Sequence, residues 1–235
     1  MNIVLLGYMC SGKSAVGRQL AIGMGREFVD LDHFMNEMRL IKTKSELEIM
    51  KKAAKVSVYA HKRAMKFCKP GIYEYQLQAE IEHEFQMSGA NGPAYTSIVG
   101  GGANGCILHY IENKDMLKNG DLVLIDAGCE IQGYAGDITR TFPVNGSFTG
   151  AQAELYDLVL SAQAEAIQAM VVGKSIKLFH EAAIRRLTEG LIELKIIGGP
   201  LEAALDDKRY LPYYMHGTGH FLGLDVHDVG AYEDD

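Results

Sequence analysis

Two short apolar runs, LVLIDAGCE beginning at Leu122 and YAGDITRTFPV beginning at Tyr134, follow each other so closely that the chain must reverse tightly between them. Each run carries one aspartate, Asp126 in the first and Asp137 in the second. A reversal over Glu130 to Gly133 is expected to set the two directly opposite, with Cβ atoms about 4.5 to 5.5 Å apart on one face of an antiparallel pair. Leu124, Ile125 and Ala127 flank Asp126, and an unpaired carboxylate in such surroundings is strongly disfavoured. Two like charges at that spacing call for a cation or for dedicated donors. A later segment, His216-Gly-Thr-Gly-His220 through His227 and Asp228, offers imidazoles. Gly217 and Gly219 speak against a helix there and for an extended course, in which alternation puts His216 and His220 on one face. Singly, an aspartate in a hairpin commonly caps a turn, and a lone histidine commonly hydrogen-bonds in a core. Together these residues read as a metal site. Carboxylates combined with imidazole suit Mn, Zn, Co or Fe better than Ca, and the chemistry expected is metal-assisted hydrolysis with two ions about 3.5 to 4 Å apart.

With 235 residues, 48% of them hydrophobic, the chain has enough apolar material for one large domain, or for a domain with a small appendage. A formal net charge of -7 excludes the basic footprint of a nucleic-acid binder, and no run of Lys or Arg suggests a membrane surface. Peptide or small-molecule substrates are expected instead. Met1 to Leu6 lacks a leading positive charge and is broken at Gly7, so no export signal is expected. Cys10, Cys68, Cys106 and Cys129 contain no CxxC pair, which argues against a disulfide framework or a thiolate zinc site and for reduced thiols in a cytoplasm.

The order of elements predicts an α+β fold. Residues 2–6 read as a buried strand, a helix follows to about Gly25, and a second strand is expected over 27–30. The character changes around Met38 to Lys44. Ser45 with Glu48 reads as a capping box for a helix that stops at Pro70-Gly71, and a second helix is expected over 74–87. Strand-like runs follow over 97–99, 106–110, 121–129 and 134–144. Thr149 opens a long helix that closes at Gly173, Ser175 caps another reaching about Ile197, and turns and strands are expected beyond Pro200.

On the segments SIVGGGANGCILHY, LVLIDAGCEIQGYAGDITRTFPVNG and HGTGHFLGLDVHDVG, residues 38–235 resemble the catalytic domain of bacterial Xaa-Pro aminopeptidase (aminopeptidase P), one of the pita-bread metallopeptidases. The resemblance implies a pita-bread α+β domain, with Asp126 and Asp137 as metal ligands and His220 as the histidine ligand. His109, His216 and His227 match histidines that line the substrate side and assist the reaction. It further implies two divalent ions, Mn foremost, and a peptide substrate with proline at its second position, from which the amino-terminal residue is removed. The family's two glutamate ligands belong to segments that would follow Asp235, and its amino-terminal domain has no counterpart here. The expectation for these residues is therefore a truncated domain with weak or incomplete metal binding and little turnover, its oligomeric state unassigned. A non-catalytic metal- or peptide-binding protein is the alternative.

Gly7-Tyr-Met-Cys-Ser-Gly12-Lys13-Ser14 satisfies the phosphate-loop pattern between an expected strand and a helix. Backbone amides there would cradle phosphates, Lys13 would reach the outer ones and Ser14 a magnesium ion. Residues 1–37 resemble the start of shikimate kinase, in which Asp30 would match the acidic residue near magnesium and Asp32 the residue that holds shikimate. ATP with Mg is thus a further alternative ligand. Further parallel strands, substrate-binding arginines and an arginine-bearing lid are not found, and one β-α-β fragment has too little core to fold alone. The sequence reads as chimeric: a P-loop fragment over 1–37 joined to a metallopeptidase-like domain over 38–235.

Overall fold

The structure, a computed structural model, describes residues 13–230. The strand expected over 2–6 and the Gly7 and Gly12 positions lie outside the described residues. The chain divides into two compact units, Met1–Ile41 and Lys42–Asp235. In the first, α1 (Lys13–Gly23) and α2 (Asp32–Leu40) are helical. The strand expected over 27–30 does not form. Among the described residues it has no neighbouring strand to pair with, and an unpaired extended segment makes no ladder. Asp30 instead accepts a hydrogen bond from the Asp32 amide at 3.1 Å, an Asx-type contact that leads into α2.

The second unit opens with α3 (Lys44–Phe67), whose cap is Thr43 rather than Ser45. The Glu46 carboxylate accepts from the Thr43 amide at 2.6 Å and the Thr43 hydroxyl from the Glu46 amide, so the capping box lies two residues earlier than expected. The buried face of α3 is made of Ala53, Val56, Ser57, Ala60, His61 and Ala64, residues small enough to let a sheet approach closely. The helix α4 (Glu74–Met87) buries Leu77, Ile81 and Phe85 at helical spacing.

Among the described residues, six short strands follow in two antiparallel sheets. β1 (Gly92–Pro93), β4 (Cys129–Ile131) and β5 (Tyr134–Ala135) form one, in the order β1-β4-β5. β2 (Ile98–Gly101), β3 (Leu122–Asp126) and β6 (Thr139–Pro143) form the other, in the order β2-β3-β6. The run at 106–110 is not a strand. A 3-10 turn over Gly102–Cys106 occupies its start, because Gly102 takes a left-handed φ of 55° and turns the chain away from the ladder. The helices α5 (Gly150–Ala169) and α6 (Lys177–Glu193) complete the unit with the short α7 (Leu201–Asp206). α6 ends before Ile197 because Lys195 adopts a left-handed φ of 59°. Beyond Pro200 the described residues hold α7 and turns, and none of the strands expected there.

Val123 and Ile125 of β3 pack with Leu77, Ile81 and Phe85 of α4 and with Leu117 and Val144 in the main core. Glu74 is fully buried at the start of α4 and fully hydrogen-bonded: it accepts from the Gly101 amide at 2.7 Å, Asn104 at 3.1 Å, the Tyr110 hydroxyl at 2.8 Å and the Asp115 amide at 2.9 Å. One carboxylate thereby holds both ends of the loop that carries His109.

The tightest approach lies at the β4–β5 hairpin. A Cβ on Gly128 would fall 1.7 Å from the Gly136 carbonyl oxygen, and one on Gly136 would fall 2.7 Å from the Ser57 hydroxyl. Ser57 donates to the Ala53 carbonyl and accepts from the Cys129 amide at 3.1 Å, which straps the hairpin to α3. Gly128→Ala forces two backbones apart and is expected to cost roughly 3 kcal/mol or more in urea unfolding. Gly150→Ala, whose Cβ meets nothing within 4 Å, is expected to be neutral or to gain up to about 1 kcal/mol.

Candidate metal centre

Both aspartates are delivered by the hairpin, in a register that differs from the expected one. Asp126 ends β3 and pairs with Thr139, not Asp137. The chain reverses over Gln132 and Gly133 alone, with φ of 52° and 86°, the positive pair that a two-residue type I′ turn requires. Moving the turn centre by one residue shifts the partner by two. Because side chains alternate with period two, Asp137 stays on the face of Asp126, now as its diagonal neighbour.

The Tyr95 hydroxyl lies between the two carboxylates, 2.5 Å from Asp126 Oδ1 and 2.7 Å from Asp137 Oδ1. A phenol has one hydrogen to donate. Two hydrogen-bonding distances to two ionised carboxylates therefore require one more proton, or a cation. Burial pushes the Asp126 carboxyl above its ordinary range; the Tyr95 bond opposes the rise and the Asp137 charge adds to it. Burial and the neighbouring Asp126 also push the Tyr95 phenol up, so it stays protonated.

His220 has the same shortage. Its Nδ1 lies 2.9 Å from the Phe221 carbonyl, and a carbonyl only accepts, so Nδ1 carries hydrogen. Its Nε2 faces Asp137 Oδ2 at 3.1 Å, and that contact is favourable only with a proton or a cation between them. An imidazole that donates from Nδ1 to a carbonyl and turns Nε2 toward carboxylates has the usual bearing of a metal-ligating histidine. The donors thus fit a divalent ion. With the Tyr95 hydroxyl between the carboxylates, the described residues hold no ready group of three or more His, Cys, Asp or Glu gathered around one point.

The histidine segment reaches the hairpin through its backbone, since the Ala135 amide donates to the Gly223 carbonyl at 2.9 Å. It runs without helix, as its glycines predict. His227 stacks on His220 with ring centroids 3.9 Å apart. His216 is exposed and its Nδ1 contacts the Gly217 carbonyl at 2.9 Å. His109 is exposed at a left-handed φ of 55°. Asp126, Asp137, His220 and His227 therefore come together, whereas no hydrogen bond or ion pair joins His109 or His216 to the carboxylates.

Sequence reasoning missed three supporting residues. Tyr95 lies in a loop with no periodic signal. His61, buried on α3, shares a hydrogen with the Ala127 carbonyl at 3.0 Å and so holds the backbone beside Asp126; burial pushes its imidazole down. Lys42 donates to Asp228 at 2.6 Å, with side-chain exposures of 11% and 1%. A Cβ on Gly223 would collide with that pair, 2.1 Å from Asp228 Oδ2 and 2.9 Å from Lys42 Cε. The signal at Lys42 and Asp228 was only their charge, 186 residues apart in sequence.

Of the phosphate-loop residues, Gly7, Gly12 and the Lys13 side chain lie outside the described residues. Ser14 falls in the first turn of α1. Asp30 stands 3.8 Å from Arg18 and, as above, bonds the Asp32 amide.

The sequence pattern of metallopeptidase family M24 matches residues 48–235, and that of shikimate kinase matches residues 9–54. Xaa-Pro aminopeptidase of Haemophilus influenzae is 50% identical over 209 residues, which are 89% of this chain and 49% of that protein. The Escherichia coli enzyme of the same name is 48% identical over 207 residues, 88% of this chain and 47% of that protein. Among solved structures, Pseudomonas aeruginosa aminopeptidase PepP superposes with a TM-score of 0.87 at 47% identity, covering 94% of this chain and 50% of that one. A variant of Escherichia coli aminopeptidase P in complex with substrate gives 0.86 at 45% identity, covering 92% of this chain and 50% of that one. The chain spans about half the length of these relatives. Among the described residues no helix is long and apolar enough to cross a membrane.

The shortage of protons around Tyr95 is testable without any reaction. In EDTA, Asp126→Asn supplies the missing hydrogen and is expected to raise stability by about 1 kcal/mol near neutral pH, or about 2 to 4 °C in Tm. A carboxyl raised in the folded state contributes stability that is present at acid pH and lost as pH rises through its folded value. The unsubstituted chain is therefore expected to lose stability from acid toward neutral pH by a slope that Asp126→Asn lacks, read by urea unfolding at a series of pH values.

Proposed function

The chain belongs to metallopeptidase family M24, with an α+β fold of the pita-bread type, and from that premise we propose that it carries one wall of a dinuclear metal centre. The reaction we assign to that centre is removal of an amino-terminal residue that precedes proline. The observation that carries this reading is the convergence of Asp126, Asp137 and His220 at a point short of positive charge.

Asp126, Asp137 and His220 would hold divalent ions, which, when bound, supply an activated hydroxide and polarise the scissile carbonyl. We favour Mn among these ions, because oxygen donors outnumber nitrogen in the set. Asp137, between the hairpin and the histidine segment, would orient His220. His227, stacked on His220, would donate a hydrogen bond to charge that develops on the substrate carbonyl. We assign His109 and His216, both exposed, to the substrate side by family resemblance. By themselves Asp126, Asp137 and His220 are expected to bind metal weakly and to support little turnover, because two carboxylates offset only part of the charge of two divalent ions. We expect a cytoplasmic location, where Cys68, Cys106 and Cys129, free among the described residues, would stay reduced. We read residues 1–37 as a P-loop kinase fragment joined to this domain, with the shikimate kinase match in support. An unchanged Tm in MgATP removes nucleotide binding from that reading.

Calorimetric titration with Mn is expected to show weak binding that Asp137→Asn weakens by more than about tenfold, the scale of losing a group at a metal site. Absence of heat from the unsubstituted chain sinks the metal centre. Release of an amino-terminal residue from an Xaa-Pro peptide at saturating Mn supports the hydrolase. Metal binding with no turnover leaves the non-catalytic, metal- and peptide-binding alternative.

A further inference from the structure

Residues 215–220 have almost nothing in their backbone to hold them. They belong to no helix or strand, and among the described residues they make no backbone–backbone hydrogen bond. Among the described residues, two polar side-chain contacts tie them to parts of the unit outside the segment and its neighbouring Tyr214. One is His220 against Asp137, part of the centre itself. The other comes from α6, where His180 Nδ1 lies 2.7 Å from the Thr218 hydroxyl.

Thr218 stands midway between His216 and His220. Its hydroxyl also meets the Tyr214 hydroxyl at 2.6 Å, so it is held from two sides. Tyr214 in turn lies between two rings, with centroids 6.2 Å from His180 and 5.6 Å from His216. Phe179, next to His180 on α6, faces Gly219, where a Cβ would lie 3.6 Å from its ring. α6 thus offers a packing surface and one directed hydrogen bond to the stretch that presents His220. That bond is the directed hydrogen bond α6 gives the segment; the remaining polar contacts are the local one to Tyr214 and that of His220 itself.

We propose that His180 is a positioning residue for the metal centre: through the Thr218 hydroxyl its Nδ1 fixes the extended segment from which His220 reaches the carboxylates. This rests on the metal reading above. His180 touches neither carboxylate nor substrate, and its effect is on where the His220 imidazole waits.

The test uses His180→Phe, which keeps a ring and removes the nitrogen, Thr218→Val, which keeps the shape and removes the hydroxyl, and His180→Asn, whose side-chain amide can reach where Nδ1 lies. Mn affinity is measured by calorimetry, Tm by thermal melting, and the order of residues 216–220 in EDTA by NMR order parameters of their backbone amides. His180→Phe and Thr218→Val are each expected to weaken Mn binding about tenfold and to lower the order parameters of the segment, with Tm nearly unchanged. The double variant is expected to do no more than either single one, and His180→Asn to recover most of the affinity. Wild-type Mn affinity and order parameters in His180→Phe would overturn the proposal. So would a fall in Tm that accounts for the affinity lost and that His180→Asn does not repair, since that outcome marks a merely structural histidine. If the unsubstituted chain binds no Mn, the metal reading fails on its own, and the order parameters still decide whether His180 tethers the segment.

Discussion

One phenolic hydrogen is shared between Asp126 and Asp137, and much of the second unit is arranged to keep that unbalanced group in place. Two carboxylates in partly buried surroundings repel each other and lose hydration, so a fold that holds them within reach of one hydroxyl must draw the necessary stability from elsewhere. It does so behind the hairpin. Val123 and Ile125 of β3 point into the core shared with Leu77, Ile81 and Phe85, while the alternate positions turn Asp126 to the opposite face.

The hairpin is held from several sides by groups that never touch the centre. Ser57 and His61 on α3 bond the backbone at Cys129 and Ala127, on either side of Gly128. Tyr134 donates to Glu46 at the start of the same helix at 2.7 Å, so the cap of α3 and the tip of the hairpin are linked. The Lys42–Asp228 pair closes the arrangement from the tail. A nearly buried ion pair contributes little net stability against its desolvation, but removing either partner is costly, which gives it more weight as a fastener than as a source of energy.

Periodicity made some of this legible and left the rest hidden. The helix over 74–87 and the hairpin itself follow from local spacing, and the same-face relation of Asp126 and Asp137 survives because a register error of two is invisible to alternation. The turn was harder to place, since Gln132 at positive φ carries no composition signal and only Gly133 suggests a reversal. The run at 106–110 has the composition of a strand, yet the glycines before it curl into a 3-10 turn that Glu74 fastens from a distance. Tyr95, His61 and Lys42 act through partners 31, 66 and 186 residues away, and no local pattern carries that information. At the amino terminus the phosphate-loop pattern was legible as a motif, while the strand expected over 27–30 needed a partner that the described residues do not supply.

The two kinds of support in this unit differ in stiffness, and the difference has a chemical consequence. Asp126 and Asp137 sit on a paired hairpin whose glycines leave no room for adjustment, whereas His220 sits on a strip that lacks ladder bonds and is guided by single side-chain contacts. On the proposed metal reading, a rigid pair of like charges would fix where a cation goes, and a more pliant imidazole would adjust to it without straining the sheet. The same pliancy makes the histidine side the weaker wall. Any group that stiffens it, such as the hydroxyl of Thr218 between α6 and Tyr214, acts on the ion through geometry rather than through charge.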